Sequence, residues 1–175
     1  LARFEREAQL AAQVGGAGGV VPVHALGEHR GNPYFVMDLV EGRDLGVVFR
    51  EGSMEPRALA ALLADVARTL EGCHRAGVVH RDLKPENVIV REHDGRPLVA
   101  DFGLAQGGAA ERLTRTGQLL GTPAYMSPEQ ARTGERVGPA TDVYSLGAIL
   151  YHGSTGRLPF EGKSVLGILA KVISG

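Results

Sequence analysis

Apolar residues set three and four positions apart dominate the middle of the chain. Leu59, Leu62, Leu63, Val66, Leu70 and Cys73 recur at that spacing behind Pro56 and run on to Gly77. This predicts an amphipathic helix whose first turn tolerates the proline. Phe4, Ala8, Ala11 and Ala12 form a shorter stripe against polar Arg3, Arg6, Glu7 and Gln9, so the chain is expected to open inside a helix ending near Gly15. Thr141 to Tyr151 carries few polar residues on any face, which predicts a helix buried on most sides, and Ser164 to Ile173 predicts another. Two β-like runs, Val20 to Ala25 and Tyr34 to Leu39, flank the turn-rich Glu28 to Pro33 and read as an antiparallel pair closed by Glu41 and Gly42. A second hairpin is expected from Val88 to Val90 and Pro97 to Ala100 around Asp94-Gly95. With no internal repeat or long linker, the pattern describes one unit with a small sheet-bearing front and a larger helical rear.

That second hairpin is flanked by chemistry. His80-Arg81-Asp82-Leu83-Lys84-Pro85-Glu86-Asn87 precedes its first strand, and Asp101-Phe102-Gly103 follows its second. In an antiparallel pair the start of one strand lies beside the end of the other, which brings Asn87 and Asp101 to one edge with Asp82 in reach. Two carboxylates, an amide oxygen and the Lys84 ammonium suit a hard cation held together with phosphate, because magnesium takes a few carboxylates plus phosphate oxygens and water. Phosphoryl transfer needs this inventory: metal for developing charge, a cation on the moving group, and a carboxylate to orient the incoming hydroxyl.

Together with Gly-Thr-Pro-Ala-Tyr-Met-Ser-Pro-Glu from Gly121 to Glu129, these motifs resemble the protein kinase family over essentially the whole chain. Arg-Phe-Glu-Arg-Glu-Ala at Arg3 to Ala8, Ser-Pro-Glu-Gln-Ala at Ser127 to Ala131 and Thr-Asp-Val-Tyr-Ser-Leu-Gly at Thr141 to Gly147 are similar to bacterial Hanks-type serine/threonine kinases. The resemblance implies an α+β, two-lobe fold. An incomplete β-rich N-lobe and hinge would occupy residues 1–40, and a mostly helical C-lobe, truncated before its last helices, residues 41–175. It implies that Asp82 is the catalytic base, Lys84 the γ-phosphate contact, and Asn87 and Asp101 the ligands of Mg2+ or Mn2+, with ATP as phosphoryl donor.

On the nucleotide side the resemblance implies that Glu7 pairs with an ATP-binding lysine, although it could be a solvated surface charge. It makes Met37 the gatekeeper, gives Asp38 and Val40 backbone groups toward adenine, and makes Ile89 the floor. Asp44 would hold the ribose or cap the short helix that follows, and Asp142 would pin the catalytic-loop backbone or cap its own helix. His80, Phe102, Gly103 and Thr122 would be structural members of their motifs, and Glu129 would pair with an arginine of a late helix. Thr114 and Thr116 match twin autophosphorylation sites with Arg81 as the phosphate's partner, or else merely solvate a loop. Lys84 together with Thr122 resembles the serine/threonine branch, so proteins with Ser or Thr acceptors are the implied partners. A homodimer for autophosphorylation is left open.

Composition narrows the alternatives. Among 175 residues, 43% are hydrophobic, and 19 basic against 20 acidic side chains leave a formal charge of −1 with no basic stripe for nucleic acid. Cys73 is the only cysteine and has no spaced ligand pair, so a buried helix thiol is expected rather than zinc. The longest apolar stretch, Val143 to Tyr151, falls far short of the roughly 20 residues that span a bilayer, giving no membrane segment and an expected cytoplasmic domain, with an anchor in the parent protein left open. Gly15 to Gly19 follows a helix rather than a strand, and Gly162-Lys163-Ser164 lacks the upstream glycine of a Walker motif, so neither is read as a phosphate loop.

The departures lie at the front and in the loop after Asp101. Only Lys84, Lys163 and Lys171 occur, six residues precede Glu7, and Gln106 stands where relatives carry a basic residue. The expectation is an inactive fragment of an active kinase, against the alternatives of a pseudokinase-like binding scaffold and, more remotely, a P-loop enzyme.

Overall fold

The computed structural model describes residues 18–52, 54–102, 123–132 and 135–175. The opening helix expected over the first fifteen residues lies outside these.

Two strands come first. β1 (Val23–His29) and β2 (Asn32–Met37) pair antiparallel with His29 opposite Asn32. The two residues between them, Arg30 and Gly31, both take positive φ (52° and 79°), the primed turn whose twist suits a tight hairpin. The expected first strand began too early. Val20 bridges Val99 in parallel, the Val21 N–H donates to the Val99 carbonyl at 2.9 Å, and both valines are at most 4% exposed. An unbroken Val-Val pair buried on both faces belongs in an interior sheet rather than in a half-exposed hairpin, and Pro22, which cannot donate, separates the two.

A second correction concerns Gly42. It does not close the hairpin but opens β3 (Gly42–Asp44), which pairs antiparallel with β4 (Val88–Arg91), itself paired with β5 (Pro97–Val99) in the order β3-β4-β5. A Cβ on Gly42 would stand 2.3 Å from the Val90 carbonyl oxygen, so only glycine lets the strands approach there. α1 (Leu45–Glu51) follows at once, capped by the Asp44 carboxylate accepting from the Val47 N–H at 2.9 Å.

α2 (Pro56–Arg75) has its N-terminus capped by Glu55 and buries all six residues of the periodic stripe. That face packs on α4 (Ala140–Thr155), and Leu59, Val66, Cys73, Leu45, Leu83, Val88, Val99 and Ile149, each at most 1% exposed, form one core. Each such aliphatic side chain contributes about 1.5–3 kcal/mol on burial. Burial, with the Asp142 charge adding to it, pushes the Cys73 thiol up to about 11, so it is protonated and inert.

α4 departs from expectation on one side. It buries Thr141, Asp142, Ser145, Ala148, Ile149 and Gly153, while Val143, Leu150 and Tyr151 are 66%, 39% and 48% exposed. The buried face is built from polar and small residues, so hydropathy located the helix but misjudged how much of it is covered. α3 (Pro128–Ala131) and α5 (Val165–Ser174) complete the rear and pack on each other, with 3-10 turns at Pro85–Asn87 and Pro123–Tyr125. Ser164 accepts from the Gly167 N–H at 3.1 Å and so caps α5, a helix-start role in place of a phosphate-loop one. The whole is an α+β arrangement with a small antiparallel front sheet and a mostly helical rear.

Candidate active site

The site is built around the loop between α2 and β4. His80 is fully buried, and burial above all holds its pKa below the usual histidine range against the raising influence of Asp142. Its ring is therefore neutral: Nε2–H donates to the Ala100 carbonyl at 2.9 Å, and Nδ1 accepts the Asp82 N–H at 3.2 Å. The same ring lies 4.6 Å from that of Phe102, which is 3% exposed. One side chain thus joins the loop, the end of β5 and the residue after Asp101.

Asp142, 0% exposed, faces this loop from the first turn of α4. Its Oδ1 accepts from the Arg81 N–H at 2.9 Å, and its Oδ2 accepts from the His80 N–H at 2.9 Å and meets His74 Nε2 at 2.7 Å. Pro139 occupies the N-cap position of α4, so Asp142 is a clamp on the loop and not a cap. The clamp acts where the backbone is strained. Arg81 has φ of 66°, a left-handed conformation that costs a bulky L-residue about 1–2 kcal/mol.

Beyond Arg81, the Asp82 carboxylate meets the Lys84 ammonium at 2.8 Å, with both side chains about one-fifth exposed. Asn87, 3% exposed, donates its Nδ2–H to the Asp82 carbonyl at 2.9 Å, and its own carbonyl accepts the Ala100 N–H at 2.9 Å. Val88 opposite Val99 fixes that register and sets Asn87 beside the approach to Asp101, as the hairpin argument expected. Asp101, also left-handed at φ 59°, is exposed at this edge.

The remaining predicted residues spread around this centre. Asp44 is the register partner of Ile89, so β3, unforeseen from sequence, sets the two side by side, and the capping bond of Asp44 is present. Met37 ends β2 at 40% exposure. Asp38 donates its N–H to the Pro22 carbonyl at 3.0 Å and pairs its carboxylate with His24, so its carbonyl is what remains to it for a ligand. Val40 is half-buried in the link to β3. Glu129 lies in the first turn of α3. Glu7, Gly103, Thr114, Thr116 and Thr122 lie outside the described residues.

Two residues were missed. His74 stands one position beyond Cys73 on the buried stripe of α2, and a polar side chain on that face was the available signal for a buried partner. Gln130 completes a capping box with Ser127, readable as Ser-x-x-Gln, and its amide reaches the Arg81 carbonyl at 2.5 Å.

Among the described residues no three His, Cys, Asp or Glu side chains gather as an all-protein metal cage. An amide oxygen and a carboxylate at one edge, next to an ammonium, instead suit a cation that arrives with phosphate oxygens and water.

The protein kinase domain family matches residues 2–175 of the chain. The serine/threonine-protein kinase PknL of Mycobacterium tuberculosis is 44% identical over 169 residues, which cover 96% of this chain and 42% of the relative. PkaA of Streptomyces coelicolor is 46% identical over 142 residues (79% and 26%), and AfsK of Streptomyces griseus is 44% identical over 161 residues (91% and 20%); both also bear the name serine/threonine-protein kinase. The chain spans less than half the length of each of these three.

Proposed function

We propose, from the premise that the chain belongs to the protein kinase family, that its parent protein transfers the γ-phosphoryl group of ATP to Ser or Thr hydroxyls of proteins. The observation that carries this reading is the Asp82–Lys84 ion pair at 2.8 Å on a loop locked by Asn87 and Asp142. Asp82 accepts the proton of the acceptor hydroxyl as that oxygen bonds to phosphorus and the bond from phosphorus to the ADP oxygen breaks. Lys84 holds the transferring group and keeps the carboxylate turned toward it. Asn87 and Asp101 supply oxygen ligands to Mg2+, or Mn2+ in its place, whose contribution when bound is to neutralise charge on the phosphates. Met37, Asp38, Val40 and Ile89 frame the adenine, Asp44 stands near the ribose, and Glu7 pairs with an ATP-binding lysine of the parent.

Regulation is proposed at Thr114 and Thr116. A phosphothreonine adds about two negative charges, and a neighbouring arginine is its natural partner. Arg81 supports this, since its buried Nε has no hydrogen-bond partner among the described residues. Autophosphorylation between two copies would supply the phosphate.

A scaffold without turnover is the competing reading, and retention of Asp82, Lys84, Asn87 and Asp101 together, the first three joined by hydrogen bonds, favours the enzyme. The 175 residues on their own hold lysines only at 84, 163 and 171. Isolated, they are expected to bind Mg-ATP far more weakly than the parent and to transfer nothing; equal affinities by calorimetric titration would contradict that. The test of the main reading is phosphate transfer by the parent from labelled ATP to protein Ser and Thr. Asp82→Asn is expected to remove nearly all turnover while ATP affinity stays roughly unchanged, because a base acts in the chemical step. Turnover within a few-fold of wild type would sink the assignment.

A further inference from the structure

The proposed reaction does not use Gln130, yet this side chain is 7% exposed and makes a contact that crosses 49 positions of sequence. Its Oε1 accepts the Ser127 N–H at 3.1 Å, which fixes the orientation of the amide, and its Nε2–H then donates to the Arg81 carbonyl at 2.5 Å. Ser127 is itself held by Thr141, with 2.5 Å between the hydroxyl oxygens, and Thr141 sits next to Asp142 in α4. The amide is therefore anchored at one end to buried structure.

The other end meets one particular peptide plane. The Arg81 carbonyl and the Asp82 N–H belong to the same peptide group; the first accepts from Gln130, and the second donates to His80 Nδ1 at 3.2 Å. Arg81 is left-handed, so this plane is turned away from the direction a relaxed residue would give it. Asp142 holds the N–H of Arg81 before the plane, while Gln130 and His80 hold the two ends of the plane itself. The direction in which the Asp82 carboxylate leaves the backbone is set by that plane.

We propose that Gln130 is a positioning residue for Asp82, fixing the strained Arg81–Asp82 peptide through its donor while its acceptor end is tied to the cap of α3. The inference rests on the kinase reading for its consequence in turnover, though the geometry stands apart from it. A neutral donor is required: a carbonyl cannot be held by a carboxylate, and an apolar side chain would leave a buried carbonyl unpaired.

The test uses the parent protein with Gln130→Met, which removes donor and acceptor at similar volume, and Gln130→Glu, which keeps the acceptor for Ser127. Rates are normalised to the concentration of nucleotide-binding sites. Gln130→Met should lower kcat on the order of tenfold to a hundredfold while KM for ATP stays within about twofold, as expected for displacement of one reacting group. Gln130→Glu should do better in acid, where a protonated carboxyl can donate to the Arg81 carbonyl, and worse in base, where it cannot. Its kcat relative to wild type should therefore fall as pH rises, a trend absent from Gln130→Met. A merely structural role would lower stability without that pH trend.

Wild-type kcat in both variants, or equal losses with no pH trend in Gln130→Glu, would overturn the proposal. Absence of transfer by the wild-type parent would count against the kinase reading instead. In that event amide hydrogen exchange decides the positioning claim: residues 80–87 should exchange faster in Gln130→Met while residues 56–75 do not change, and equal exchange at 80–87 overturns it.

Discussion

Replacing Asp142 by Asn should cost the protein about 3–5 kcal/mol, far more than the loss of one formal charge suggests. The carboxylate accepts three hydrogen bonds at 2.7–2.9 Å in a site with no solvent exposure. An amide in the same place has one acceptor. Oriented to keep His80 N–H and His74, it turns its NH2 toward the Arg81 N–H, so one charge-assisted bond worth about 1.5–3 kcal/mol is lost and buried donors confront each other at about 1–3 kcal/mol more. The opposite orientation loses two bonds and is worse. Against a typical total of about 5–15 kcal/mol this is a large fraction. It should lower the melting temperature of a domain this size by about 2–4 °C per kcal/mol. The strained Arg81 also loses the bond on its N–H, so turnover should drop along with stability. Guanidinium denaturation of wild-type and Asp142→Asn parent protein, paired with a phosphotransfer assay, measures both. A change in unfolding free energy below about 0.5 kcal/mol, the scale of an ordinary surface substitution, would refute the three-bond clamp.

Stability should be level between about pH 7 and 8 and fall as pH drops through about 6.5, because buried His80 resists a proton that the unfolded chain accepts. His152, lowered chiefly by burial and bonded through Nδ1 to the Tyr125 hydroxyl at 2.7 Å, acts in the same direction. Urea midpoints recorded from pH 7.5 to 5.5 check this, and a midpoint that rises toward acid would contradict it. Gly153→Ala should destabilise by about 1–3 kcal/mol through overpacking, since its Cβ would stand 2.5 Å from Leu59 Cδ2 and 2.6 Å from Phe49 Cζ; an unchanged denaturation midpoint would show that the seam between α2 and α4 is looser than described. Changing Thr114 and Thr116 together to Ala should reduce activity of the autophosphorylated parent, and full activity with both sites unmodified by mass spectrometry would remove their regulatory role.

The legible parts of this protein were those in which local pattern and final environment agree. The stripe from Leu59 to Cys73 names the buried face of α2 because one side of that helix meets the core and the other meets water. The second hairpin was legible for a related reason: a turn between two short apolar runs fixes register, and register alone brings Asn87 to Asp101. What escaped depends on partners distant in sequence. Val20 and Val21 read as the start of a hairpin until Val99, about eighty positions away, claims them. Gly42 reads as a stop, although its missing side chain is what admits Val90. His74, Ser127 and Gln130 look like ordinary surface residues one at a time, since each finds its partner far along the chain, in Asp142, Thr141 and the Arg81 carbonyl respectively.

The parallel bridge at Val99 fastens the entry of the front sheet to the strand that leads into the site. The Val99 N–H donates to the Gly19 carbonyl at 2.8 Å and its carbonyl accepts from Val21 at 2.9 Å, so the segment entering β1 is stitched to β5 on both sides of one residue. Two residues later the chain reaches Asp101. Pulling this segment, residues 19–21, away from β5 would break both stitches, at about 0.5–1.5 kcal/mol each. β5 is held just as firmly to the loop behind it, since the Ala100 N–H donates to the Asn87 carbonyl and the Ala100 carbonyl accepts from His80, both at 2.9 Å, so Asn87 and the approach to Asp101 belong to one stitched edge. The entry to the front sheet, the second hairpin and the loop that carries Asp82 thus share one short run of backbone, residues 99–100, as their common fastening.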